Sequence, residues 1–320
     1  MTNSYPALPL PDTAEGAPRR TGVEIEFAGM DERQAARCIA ELLGGEITES
    51  DSRELTVLGT ELGDIEVELD TVLRKKKGVP LLEKGLDLAT GLVPVEIIAP
   101  PLPTDRLARL DDLVAALRER GATGTRDGLM LGFGVHLNTE VVAPDHPHTL
   151  KTILAFGLIE PWLRREEDLD MTRRLMPYVN QWPSSFVDDM ARNMPGTMAA
   201  LMAVAARHID SRNHGLDLFP LFAHAEPELY QRLFPKPDKT SARPTFHFRM
   251  PDCRIDEPDW SLARSWRLWS TVEEVAQNAD LLEALGRDWL DHMHFAPGAD
   301  GRWASKVDAR FKTHWQEAAE

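Results

Sequence analysis

A chain of 320 residues can bury a sizeable core as one large domain or two modest ones, and 42% hydrophobic with 28% charged residues is an ordinary globular mix. The 52 Asp and Glu outweigh 36 Lys and Arg to leave a formal charge of −16, which repels nucleic acid and anionic membranes at long range and argues against a polynucleotide partner. Cys38 and Cys253 are too few and too isolated for a disulfide framework or a Cys-based zinc site, so a reducing cytoplasm fits. The N-terminus lacks an apolar signal core, and the most apolar stretch, 198–206, is about half of the ~20 residues a membrane span needs.

Residues 1–20, proline-rich and without apolar periodicity, read as an extended tail, with order beginning near Thr21. Val23-Glu24-Ile25-Glu26-Phe27 alternates at period two and predicts a strand with acids on one face. Asp31 is placed to cap a helix with the stripe Ala35, Ile39, Leu42 and Leu43, closed by Gly44-Gly45. The run from Leu55 to Val72 predicts a hairpin or meander around Gly63 and carries a second acidic alternation, Ile65-Glu66-Val67-Glu68-Leu69-Asp70. Arg74-Lys75-Lys76-Lys77-Gly78 then reads as a solvated loop tip or, functionally, as a clamp on an anionic substrate.

Pro94-Val95-Glu96-Ile97-Ile98 is a third acidic strand, ended by Pro100, Pro101 and Pro103, and Thr104 or Asp105 opens a helix to about Arg120. Gly132-Phe133-Gly134-Val135-His136-Leu137-Asn138 sets a lone histidine in an apolar alternation. From Thr149 to about His208 the spacing turns helical, with buried-type methionines read as core filler. Residues 211–244 are loop-rich, Phe246 to Met250 predicts a short strand, and Pro258 begins C-terminal helices whose tryptophans would fix them to the sheet. His146, His148, His292 and His294 are expected in solvated or capping roles.

Carboxylates at alternate positions of neighbouring strands repel one another, and partial burial aggravates the cost unless a cation relieves it. A solvated sheet face is the plain alternative for any single Glu-x-Glu. Three such strands together with one imidazole suit Mg²⁺ or Mn²⁺, completed by phosphate and water.

Taken in order, Gly22-Val23-Glu24-Ile25-Glu26-Phe27, the strand ending in Asp70, Val95-Glu96-Ile97-Ile98-Ala99-Pro100-Pro101, Gly134-Val135-His136 and Phe246-His247-Phe248-Arg249 resemble the amidoligase family. These are carboxylate–amine ligases with the catalytic fold of glutamine synthetase and gamma-glutamylcysteine synthetase. The likeness covers about 21–269 and extends to Leu158 through Pro161, Arg212 through Asp217 and Pro251-Asp252-Cys253. It implies an α+β fold: a curved, mostly antiparallel sheet of the glutamine synthetase catalytic type, carrying two or more Mg²⁺ ions and ATP. Residues 21–256 would form the catalytic domain with a helical insertion at about 146–240, and 257–320 the C-terminal helices of the same domain.

By the same resemblance Glu24, Glu26, Glu96 and His136 map onto metal ligands, with Glu68 as an outer candidate, and Arg249 onto the arginine that meets phosphate. Asp70 fills a family Asp position, although Val72 replaces the following Ser; there it could also serve as the base for the amine. His247 stands where a Glu is usual and Asn138 where a second His is common. Imidazole at 247 suits Mn²⁺ or Zn²⁺ better than Mg²⁺. Arg254, Arg212 and Lys76 are further candidates for holding a carboxylate or phosphate. The expected reaction is ATP-dependent formation of an amide, gamma-glutamyl by family likeness, between small-molecule or peptide acid and amine substrates. A phosphotransferase on the same fold and a non-catalytic nucleotide- or metal-binding regulator remain open beside it. A metal-dependent hydrolase ranks lower, because a phosphate-binding arginine would be idle there. Neither substrate is named by the sequence, and a homo-oligomer is allowed.

Overall fold

The computed structural model describes residues 4–50, 54–69, 94–125, 132–170, 173, 179–235, 240–292, 294 and 296–317, with side chains to 314. Strand β1 (Arg20–Phe27) runs through the middle of an eight-stranded, open, wholly antiparallel sheet in the order β2-β3-β4-β5-β1-β6-β8-β7. The other strands are β2 (Glu46–Glu49), β3 (Leu55–Thr60), β4 (Gly63–Leu69), β5 (Val95–Pro103), β6 (Val135–Thr139), β7 (Leu216–Asp217) and β8 (His247–Phe248). With ten α-helices among the described residues, the fold is mixed α/β.

Period-two alternation gives the sheet an apolar face. Val23, Ile25, Phe27, Ile65, Val67, Val95, Ile97, Val135, Leu137 and Phe248 are all buried. Helix α1 (Glu32–Leu43) packs on β3 and β4, entered through an Asp31 capping box and left through Gly44. A single 3₁₀ turn (Thr104–Arg106) leads into α2 (Ala108–Glu119), whose Leu110 closes over Val23 and Leu137. The hairpin turn between β3 and β4 ends at Gly63, whose φ of 100° only glycine adopts easily.

Helices α3 (Pro147–Glu167), α4 (Ser184–Arg192), α5 (Met198–Ala205), α6 (Phe219–Ala225) and α7 (Pro227–Leu233) follow β6, and β7 lies between α5 and α6. The C-terminal helices are α8 (Leu262–Gln277), α9 (Ala279–Leu290) and α10 (Ala299–Glu317); α3 packs on both α8 and α10. Trp269 of α8 packs at a tilt against Phe246 and Phe248, with ring centroids 4.9 and 5.5 Å away, which fixes this layer to the sheet. No helix among the described residues is long and apolar enough to cross a membrane.

Order does not begin near Thr21. Leu8 is buried, Tyr5 donates to Asp111 at 2.8 Å, and the Trp266 indole donates to the Pro6 carbonyl at 2.8 Å. Arg19 is buried in a bidentate pair with Glu273 of α8, at 2.7 Å on both arms. Glu273 also meets His148 at 3.1 Å and Trp269 at 3.0 Å, so His148 is a buried network member and not a solvated residue. The side chains of Tyr5, Leu8 and Arg19 and the Pro6 carbonyl, irregularly spaced, hold the segment, which is why no periodicity announces it. His146 does cap α3, accepting from the His148 amide at 3.1 Å.

Candidate functional site

Directly paired residues of antiparallel strands share a face, so the register alone collects the acids. Glu68 pairs with Glu96 and Glu96 with Glu26, forming a row across β4, β5 and β1. One step along, Glu66, Ile98, Glu24 and His136 form a second row, and Gly22 pairs with Asn138 in a third. On the far side His247 pairs with Asp217, and the His136 and His247 rings approach to 5.2 Å. This is the face opposite the helices α1, α2 and α8.

Glu24, His136 and His247 are buried. Glu24 takes His136 Nδ1 at 2.7 Å on one oxygen, and Asn138 at 2.9 Å with Arg243 at 3.5 Å on the other. Burial pushes the Glu24 carboxyl upward, but the hydrogen bond from His136 and the nearby His136, His247 and Arg243 side chains outweigh it, so the carboxyl lies below its usual range. An ionised Glu24 accepts from His136 Nδ1, which turns the ring so that Nε2 lies 3.7 Å from Glu26 Oε1. The other Glu26 oxygen accepts from the Gly134 amide at 2.7 Å. Glu68 is shifted upward by burial and then by the charges of Glu54, Glu66 and Glu24.

Two sets of ligand atoms lie within 4.8 Å of one another among the described residues: Glu24, His136 and His247, and Glu26, Glu96 and His136. His247 makes the case for a cation. Both its ring nitrogens are buried and make no hydrogen bond among the described residues, while desolvation keeps the ring neutral and able to donate a lone pair. Carboxylate oxygens with imidazole nitrogens form a donor set that Mn²⁺ or Mg²⁺ fits.

Cationic side chains border these acids. Arg249 reaches the Arg212 carbonyl at 3.4 Å, and Arg212 pairs with buried Asp217 at 2.9 Å. Desolvation lowers the Arg249 guanidinium from its ordinary value, opposed by Asp217 and Glu26. Arg173 pairs with Asp252 at 3.1 Å and caps the carbonyls of Arg249, Met250 and Pro251. A Cβ on Gly134 would lie 2.7 Å from that guanidinium and 3.1 Å from His136 Nε2, so residue 134 must stay bare for the two to meet. Beside Glu24 opens a cleft of about 450 Å³, lined by β4, β5, Asn138, Arg243 and Thr245.

The fold therefore brings together Glu24, Glu26, Glu96, His136 and His247, with Glu68 in the same row and Arg249 and Arg212 alongside. Arg254 is committed elsewhere: buried, it donates to the carbonyls of Glu167 and Asp168, which pins the end of α3. Asp70 and Lys76 lie outside the described residues. Three members escape sequence reasoning. Arg173 sits in Met171-Thr172-Arg173-Arg174, Arg243 in a loop-rich stretch, and Asp217 shows only as part of the family-like segment.

Neither the curated proteins nor the solved structures provide a match. Residues 17–271 do match a family model described as "Putative amidoligase enzyme", a span that includes every acid, histidine and arginine of this face. With four-fifths of its length under that match and its acidic strands in register around His136 and His247, the chain belongs to the amidoligase family.

Proposed function

We propose that the protein is an ATP- and divalent-metal-dependent carboxylate–amine ligase that forms an amide, gamma-glutamyl in kind, through an acyl phosphate, on a sheet of the glutamine synthetase catalytic type. The family description supports amide-bond formation by a ligase. The observation that carries the finer reading is His247, a neutral imidazole with two unbonded nitrogens facing Glu24 and His136.

A carboxylate does not condense with an amine in neutral water, because its oxygen is a poor leaving group. In the proposed reaction a carboxylate oxygen of the acid attacks the γ-phosphorus of ATP, the bond to the β,γ-bridging oxygen breaks, and ADP leaves. The amine nitrogen then adds to the acyl carbon, the C–O bond to phosphate breaks with its electron pair, and the nitrogen gives a proton to a base, for which Asp70 is the candidate. Glu24, Glu26, Glu96, His136 and His247 hold the divalent cation, with Glu68 beside them. Bound there, it neutralises charge on the phosphate oxygens. Arg249 and Arg212 hold phosphate with forked donors, and Lys76 serves as a clamp. The buried free thiols Cys38 and Cys253 support a reducing cytoplasm as the setting.

The test is phosphate release with ATP, Mg²⁺ or Mn²⁺, glutamate and a panel of amines, with product analysis by mass spectrometry. An amide together with phosphate, lost in Glu26→Gln, is the expected result. A phosphorylated acceptor identifies a phosphotransferase, and nucleotide binding without turnover under any metal identifies a regulator.

A further inference from the structure

The cleft beside Glu24 has two unlike ends. Asp64 and Glu66 stand on β4 at alternate positions, exposed on the same face and without a cation partner in their row. Asp64 uses Oδ1 to accept from the Gly59 amide at 2.8 Å, which fixes its orientation. At the other end are Asn138 and Thr245, 5% and 7% exposed. Each lines the cleft and carries a side-chain oxygen with no hydrogen-bond partner among the described residues. Arg243 stands with them, 3.5 Å from Glu24. Between the two ends the floor is Gly22, Ile98, Ala99 and Pro100, with the Glu24 carboxylate beside Asn138 already engaged by His136, Asn138 and Arg243.

We infer that this cleft is the amine subsite and that it selects an α,ω-diamine or polyamine; the inference rests on the ligase reading of the adjoining site. A primary amine is protonated in neutral water and attacks only as the neutral base, so a monoamine sacrifices its charge on reacting and has nothing left for a carboxylate to hold. A diamine keeps one ammonium for Asp64 and Glu66, lays its methylenes on the apolar floor, and offers a neutral N–H₂ to the oxygens of Asn138 and Thr245. Arg243 offsets the charge of Glu24 at that end, which leaves the unbalanced negative charge of the cleft to Asp64 and Glu66. The dimensions agree. β4 and β6 are three strand spacings apart, about 14 Å, which a hydrogen bond of about 2.9 Å at each end reduces to about 8 Å, the reach of a hexamethylene diamine.

Calorimetric titration of the full chain, with Mn²⁺ in excess and no nucleotide, tests this independently of turnover. Bound 1,6-diaminohexane is expected to exceed 1-aminohexane and hexane-1,6-diol in affinity by about tenfold, and Glu66→Gln to reduce the diamine to the monoamine level. Asp64→Asn, which keeps the oxygen that accepts from Gly59, is expected to act in the same direction. Equal affinity for diamine and monoamine, no binding of either, or full diamine affinity in both variants overturns the inference. Absence of ATP turnover with the diamine preference intact would instead sink the ligase reading and leave an amine-binding cleft.

Discussion

At the scale of single residues, His247 sets the metal preference expected of the proposed site. Two imidazoles and three carboxylates form a softer donor set than the all-oxygen shell Mg²⁺ prefers, so Mn²⁺ should bind more tightly than Mg²⁺. His247→Glu replaces nitrogen by oxygen and should move the ratio of Mn²⁺ to Mg²⁺ affinity about tenfold toward Mg²⁺, read by competition titration. Glu167 is a residue of another kind. Buried at the end of α3, with Arg264 no closer than 3.5 Å to one oxygen, it is pushed up to about 7 by desolvation. A raised acid binds its proton more tightly in the folded state, so its contribution is full below the unfolded value near 4.5 and is lost as pH rises through about 7. Urea unfolding should therefore show greater stability at pH 5 than at pH 8, by about 3 kcal/mol at most from this group. Glu167→Gln should flatten that slope.

At the scale of elements, the strands were legible and the N-terminal segment was not. Alternation in β1, β4, β5 and β6 reports a face because one side is buried against helices, whereas β2 is exposed along its whole length and leaves no pattern to read. β8 falls within the short strand expected from Phe246 to Met250 and carries His247, whereas β7, two residues long, shows no periodicity and carries Asp217. The N-terminal segment is secured by side chains whose partners lie more than a hundred residues away, information that no local window contains. Arg19→Ala leaves Glu273 buried beside His148 with its main cation removed. The expected cost is about 3 kcal/mol in denaturant unfolding, with the ends of the segment becoming protease-sensitive. Native stability together with unchanged proteolysis would show that the pair contributes nothing.

At the scale of the whole molecule, charge is sorted by face. The formal charge of −16 is not spread evenly: Glu24, Glu26, Glu66, Glu68 and Glu96 share one side of the sheet, and the strand register shows how the expected convergence is built. The sequence showed which residues were acidic and which strands bore them. Family resemblance marked Glu24, Glu26, Glu96 and His136 for one site; what the sequence could not show is how their strands pair, nor that Arg173 arrives from a helical region to cover Gly134. A cation that binds only the assembled face must stabilise the fold, by about 2.7 kcal/mol when its concentration is 100 times its dissociation constant. Thermal unfolding with and without Mn²⁺ measures this, and the increment should vanish in Glu26→Gln.

The backbone amide of Gly134 has a further consequence through its hold on Glu26. With one oxygen anchored at 2.7 Å, that side chain can reach an ion by a single oxygen and cannot swing to chelate it with both. Glu24 is steadied likewise, by His136 on one oxygen and Asn138 on the other. Restrained in this way, these carboxylates would hold a divalent cation without enclosing it, leaving room beside it for oxygens of the reactants.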